Sequence, residues 1–200
     1  MDGLSIHIPV RLFPTRQLVL LFVLSALCVG IQLTPRPPNI EFTSLVVFLV
    51  GALFGSSFGA TLGILVMLIN GFFSPWGFAG LMMPFQITGM GLVGIGGGIY
   101  KRARSGCYDS RSMIETAIVG AFLTLIYDII TNFGVALAHM LVGTPILISF
   151  VSAIISGAIF SLLHISSNIF VFGLTFFPLT RILQNLQGGG KNWREDSSLT

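Results

Sequence analysis

Residues 51–63, GALFGSSFGATLG, carry glycine at 51, 55, 59 and 63, an unbroken ladder of G-x-x-x-G steps. The stretch reads either as one membrane helix built for close helix contact or as two helices meeting at a turn. The distribution of charge separates the two readings, because Lys and Arg of a membrane protein collect in alternate, cytoplasmic loops. With a turn at Ser56 and Ser57 and the N-terminus in the cytoplasm, nine of the ten basic residues fall inside: Arg11, Arg16, Lys101, Arg102, Arg104, Arg111, Arg181, Lys191 and Arg194. Only Arg36 falls outside. A single helix over 41–70 would instead put the four basic residues of the 101–111 loop outside. The turn is therefore expected, as a cytoplasmic hairpin with the serines at its tip and Gly51 and Gly63 at close helix contacts.

The composition supports a membrane setting. Of 200 residues 54% are hydrophobic and 8% charged, a balance that a domain with a water-facing exterior does not show. About 20 helical residues cross a bilayer core of roughly 30 Å. On that basis six spans are expected, near 16–33, 39–55, 57–74, 84–101, 113–140 and 156–181, with both termini in the cytoplasm. Pro35, Pro37 and Pro38 end the first, SPWGFAG divides the third from the fourth, and KRARSGCYDSRS the fourth from the fifth. One helix from 144 to 181 would be about 55 Å long. An outer surface segment at 144–155 followed by one span is expected instead. The reading is thus an all-α integral membrane protein with one six-helix domain, 1–186, in the cell (inner) membrane, and a disordered cytoplasmic tail, 187–200.

Other classes are disfavoured. Leu27 is too large to precede a signal cleavage site, so the first apolar run is read as a span. Cys28 lies in that run and Cys107 in a charged loop, at different depths, which implies no disulfide. The basic residues are not clustered with aromatics, and nucleic-acid binding has no support. GIGGGIYKR lacks the G-K-[ST] ending of a phosphate loop and follows no strand.

Polar groups inside the bilayer are costly, so each asks for a reason. Asp128, Asn132 and His139 share one face of the fifth span, with Thr124 a turn below. His164 and Asn168 share a face of the sixth, at a matching depth. Glu41, Asn70 and Gln86 stand at the outer ends of the second, third and fourth spans. Two readings stay open: these groups bond one another across the bundle, or they surround an outward-facing pocket walled by Trp76, Phe78 and Tyr127. Catalysis is not expected. No G-x-S-x-G, H-E-x-x-H or paired-carboxylate arrangement accompanies the histidines, and no metal or cofactor is expected. Ala26 and Gly30 put a small surface on the first span, fit for close packing within the bundle or against another chain.

Taken in order, PPNIEFTSLVVFLVGALFGSSFGATLG, SPWGF before PFQITGMGLVGIGGGIY, IYDIITNFG and HISSNIFVFGLTFFPLTRIL resemble the substrate-binding (S) components of energy-coupling factor transporters. The resemblance runs from about 16 to 186. It implies six helices, a solute pocket near the outer face, and uptake of a vitamin or related micronutrient. It also implies partners, a transmembrane coupling subunit and two ABC ATPases, besides the surrounding lipid. The family's docking pattern on its first helix is A-x-x-x-A, for which Ala26 and Gly30 are the nearest match here. Energy would come from the partner chains, with reorientation of the bundle delivering the solute.

Overall fold

The computed structural model describes residues 15–34, 39–75 and 77–196. Among them are six α-helices and one short 3-10 turn, and no strand. The helices are α1 (Thr15–Leu33), α2 (Thr43–Phe54), α3 (Ser56–Phe73), α4 (Met83–Ala103, entered through the 3-10 turn Gly80–Met82), α5 (Ser112–Leu141) and α6 (Ile146–Asp196). Four segments are long and apolar enough to cross a membrane: Ser56–Phe73, Gly80–Ala103, Ser112–Leu141 and Ile146–Leu183. α1 and α2 are apolar but shorter. Residues 1–14, the proline break at 35–38, Trp76 and residues 197–200 lie outside the described residues.

The ladder of glycines does contain a break, and a single residue makes it. Gly55 has φ +107° and ψ 167°, a conformation closed to side chains with a Cβ. It ends α2 and begins α3. Ser56 and Ser57 therefore stand in the first turn of α3, not at the tip of a loop. On either side the glycines make backbone-to-backbone contacts. A Cβ added to Gly59 would sit 2.7 Å from the Gly51 Cα, and one on Gly63 2.5 Å from the Met90 carbonyl oxygen. Across the seam, a Cβ on Gly94 would fall on the Gly59 carbonyl, and one on Gly97 on the Phe48 carbonyl. The ladder thus fits α2 and α3 together against α4.

α2 is shorter than the expected span 39–55. Asn39, with φ +62°, ties the preceding segment to α6: its Nδ2 donates to the Phe160 carbonyl at 2.9 Å and its own carbonyl accepts from Ser167 Oγ at 3.1 Å. Those bonds hold 39–42 out of the helix. At 12 residues α2 is about 18 Å long, short of the bilayer core. Nine of its twelve residues are buried, so protein surrounds it and it has no lipid to match. Its open C-terminal carbonyls are met from the last turn of α4 and the α4–α5 loop: Lys101 Nζ donates to Leu53 O at 2.6 Å and the Tyr108 hydroxyl to Ala52 O at 2.8 Å. Burial pushes the Tyr108 phenol up to about 12, aided by nearby Tyr100 and Cys107, so the donor keeps its proton well beyond neutral pH.

α6 overturns the expected surface segment at 144–155. Gly143, at φ +93°, completes the turn after α5, and Pro145 lies just before the helix, where a missing N–H costs nothing. From Ile146 the helix is continuous, with α5 packed along part of it, and Pro178 does not stop it. No later proline intervenes, and residues 187–196, expected in a disordered tail, continue the helix.

The fold's core lies towards the end that carries the 101–111 loop. Phe48 packs on Phe172 and Phe176 at ring separations of 5.3 and 5.5 Å, and Tyr100 and Tyr108 close on Phe176. All three phenylalanines are fully buried. This cluster joins α2, α4 and α6 and fills the bundle below the site.

Candidate functional site

At the opposite end of the bundle a cavity of about 580 Å³ opens among α1, α3, α4, α5, α6 and the segment before α2. α1 contributes Gln32 from its last turn, the segment before α2 contributes Asn39 and Glu41, and α3 contributes Met67 and Asn70. Ser74, Gly77, Phe78 and Ala79 form the rim. This loop is pinned by the Ala79 N–H, which donates to Gly71 O at 2.8 Å, and turned by Gly77 at φ +94°. Met82 comes from the 3-10 turn, Gln86 from the start of α4, Tyr127 from α5, and Phe160 and His164 from α6. Phe78 is largely exposed and stacks on Phe72.

His164 anchors the floor. Its Nδ1 lies 2.8 Å from Asp128 Oδ1, its Nε2 3.6 Å from Glu41 Oε1, and its ring meets the edge of Tyr127. Glu41 in turn accepts from Ser44 Oγ at 2.9 Å. Fixing Nδ1 against Asp128 sets the ring orientation and turns Nε2 towards Glu41. Around this cluster His164 Nε2, Gln86 Oε1 and Asp128 Oδ2 are buried with no hydrogen-bond partner. Buried polar atoms are rarely left so, and the first two belong to residues that line the cavity.

Of the eleven residues expected at a binding site, Glu41, Asn70, Phe78, Gln86, Tyr127 and His164 line this cavity, and Trp76 lies outside the described residues. Asp128, Asn132, His139 and Asn168 do not line it. Their spacing does place the α5 residues on one face, but that face meets α6. Thr124 accepts from Asn168 Nδ2 at 2.9 Å, Asp128 pairs with His164, Asn132 packs on Gly157, and His139 Nδ1 lies 2.9 Å from Ser152 Oγ. The stripe is a polar seam of an antiparallel helix pair, matched nearly rung by rung. Only its His164 rung also reaches the cavity.

Sequence reasoning missed Gln32 and Asn39. Gln32 was detectable as a lone amide in the last turn of an apolar helix. Asn39 was detectable as a turn-forming residue directly after the prolines. Met67, Met82 and Phe160 carry no signal that separates a cavity wall from lipid-facing surface. Ala26 and Gly30 are both exposed. α1 buries Leu21, Ser25, Cys28 and Gln32, a stripe at helical spacing, and the small pair stands off that face.

Among the described residues no three His, Cys, Asp or Glu side chains are grouped to hold a metal ion. Compared with known proteins, the chain matches no family model, no curated protein and no solved structure.

Proposed function

We propose that this chain is the solute-capturing S component of an energy-coupling factor importer, resident in the cell membrane with six crossings and both termini in the cytoplasm. The observation that carries the reading is the cavity: about 580 Å³, with amide, carboxylate, imidazole and aromatic groups converging on it, within the size and chemistry of small-molecule sites. The aromatic cluster beneath it closes the bundle on the other side. The sequence motifs of the resemblance and the concentration of basic residues in alternate loops support the same reading. A vitamin-sized solute enters from outside, and a coupling subunit with two ABC ATPases supplies the energy.

Binding by the purified protein tests the site. Gln86→Ala removes a cavity-lining amide and is expected to weaken solute binding about tenfold, the value of one good hydrogen bond. Asn132→Ala, set in the α5–α6 seam, is expected to leave affinity unchanged. Equal effects of the two changes in isothermal titration would count against this cavity.

The small, exposed pair on α1 supports docking of the coupling subunit there. A Cβ on Gly30 would meet nothing within 4 Å, so the side chain of Gly30→Leu starts into open space. The substitution is expected to abolish co-purification with the coupling and ATPase subunits while leaving solute binding intact. A retained complex would place the docking face elsewhere.

A further inference from the structure

We propose that the groove between α5 and α6, near the end that carries the 101–111 loop, seats one anionic phospholipid, with an acyl chain along the groove and the phosphate held by Arg111 and Arg181. The site is separate from the cavity and does not depend on which solute fills it.

The groove has a volume of about 450 Å³, and no polar or charged residue lines it. Small residues make its floor. Ala117, Ala121 and Gly173 let the helices approach, and a Cβ added to Gly173 would stand 3.2 Å from that of Ala117. Ile114 and Ile118 on one side and Leu174 on the other are largely exposed and stand as walls. The groove lies within two segments apolar enough to cross a membrane, and its lining forgoes dispersion contacts unless hydrocarbon fills it. Its length indicates the occupant. On α5 it runs over 113–121, about 12 Å of helix, which fits inside one leaflet of a hydrocarbon core roughly 30 Å thick. A membrane-crossing partner helix would have more than twice that length to cover.

Two arginines supply the head-group end. The hydrogen bond from Asn168 to Thr124 fixes the antiparallel register of the pair. Arg181 lies 13 residues beyond Asn168 and Arg111 lies 13 before Thr124, so the two stand level with each other, just past the groove. Each also continues a groove wall, since Arg111 is seven residues before Ile118 and Arg181 seven after Leu174, about two helical turns. Both side chains are exposed. The carboxylates nearest Arg111 in sequence, Asp109 and Glu115, engage Arg104 instead, and neither Arg111 nor Arg181 forms an ion pair among the described residues. A guanidinium presents paired N–H donors to phosphate, and basic groups between membrane helices attract anionic head groups.

Native mass spectrometry of the purified full chain tests this, in mixed micelles holding equal amounts of phosphatidylglycerol and phosphatidylcholine with the same acyl chains. One retained phosphatidylglycerol per chain is expected, preferred about twentyfold over phosphatidylcholine, the product of two arginines worth about fivefold each. Arg111→Gln and Arg181→Gln should each lower the preference about fivefold, and the double variant should abolish it. Arg102→Gln, an exposed change in the same charged stretch, should leave it unchanged. Ala121→Leu fills the groove and should reduce retention of both lipids, in protein whose melting temperature is preserved. Equal retention of the two lipids by the unaltered chain would overturn the proposal. So would a loss in Arg102→Gln as large as in Arg111→Gln, which would mean attraction to surface charge in general. Undiminished retention in folded Ala121→Leu would overturn the groove as the seat of the chain. A dimer that Ala121→Leu converts to monomer would overturn it too, by giving the groove to a second copy. Should Ala121→Leu fail to fold, the contrast between Arg102 and the Arg111–Arg181 pair decides alone.

Discussion

Gly94→Ala is expected to lower the melting temperature by roughly 6–12 °C, a large effect for one methyl group. The reason lies in what the methyl would strike. Its Cβ falls on the carbonyl of Gly59 and the amide nitrogen of Ala60, backbone atoms that have no rotamer to change. Overpacking costs about 1–3 kcal/mol where side chains can yield. Here α3 and α4 must separate, and the cost belongs at about 3 kcal/mol, which for a chain of this length corresponds to the stated shift. Gly30→Ala is the matched control, since a Cβ there meets nothing within 4 Å. It should hold the melting temperature or raise it slightly, because alanine is the better helix former. Thermal unfolding in detergent, followed by size exclusion, reads both. An unchanged value for Gly94→Ala would mean that the α3–α4 seam is looser than its geometry indicates.

The second large effect is expected at Asp128. Its removal as Asp128→Ala leaves His164 Nδ1 without its acceptor at a place where both side chains are buried, and breaking such a pair costs about 3–5 kcal/mol. His164→Ala should cost a similar amount, for the reciprocal reason. The double variant removes both members and is expected to be more stable than the sum of the single losses predicts, by about 0.5–3 kcal/mol. Additive losses in that cycle would show that the 2.8 Å contact contributes no coupling. Solute binding distinguishes the two residues further. His164→Ala, which alters the cavity lining directly, is expected to weaken binding more than Asp128→Ala, which acts by freeing the ring to turn.

How much of this was legible in the sequence depends on which force set each feature. The break in the glycine ladder could be located because charge parity is a property of the whole chain, and no local propensity needed to be judged. The residue that makes the break was harder to name. Serine pairs and glycines both favour turns, and only the backbone shows that Gly55 alone takes the forbidden conformation. The polar stripe on α5 was correctly placed on one face, since helical spacing fixes that. Spacing is silent about what the face meets, and α6 proved to be the neighbour for Thr124, Asp128, Asn132 and His139 alike. Glu41, Asn70 and Gln86 lay closer to the cavity because each stands at the mouth end of its segment. The continuity of α6 through 146–155 was invisible for a different reason: a length limit drawn from bilayer thickness cannot register that α5 packs on this stretch, through Phe133 against Phe150 and His139 against Ser152.

That helix pair has a consequence for the surrounding lipid. Apolar side chains remain exposed along α5 from Ile114 to Leu141 and along α6 from Ile146 to Ile182, a band taller than the roughly 30 Å hydrocarbon layer. Along α1 the exposed apolar side chains run, among the described residues, only from Leu18 to Leu33, about 22 Å of helix. The belt is lopsided, and a lopsided belt is satisfied by leaning. The angle at which the cavity mouth meets the water then depends on membrane thickness, so that lipid composition becomes a physical input to how open the cavity stands.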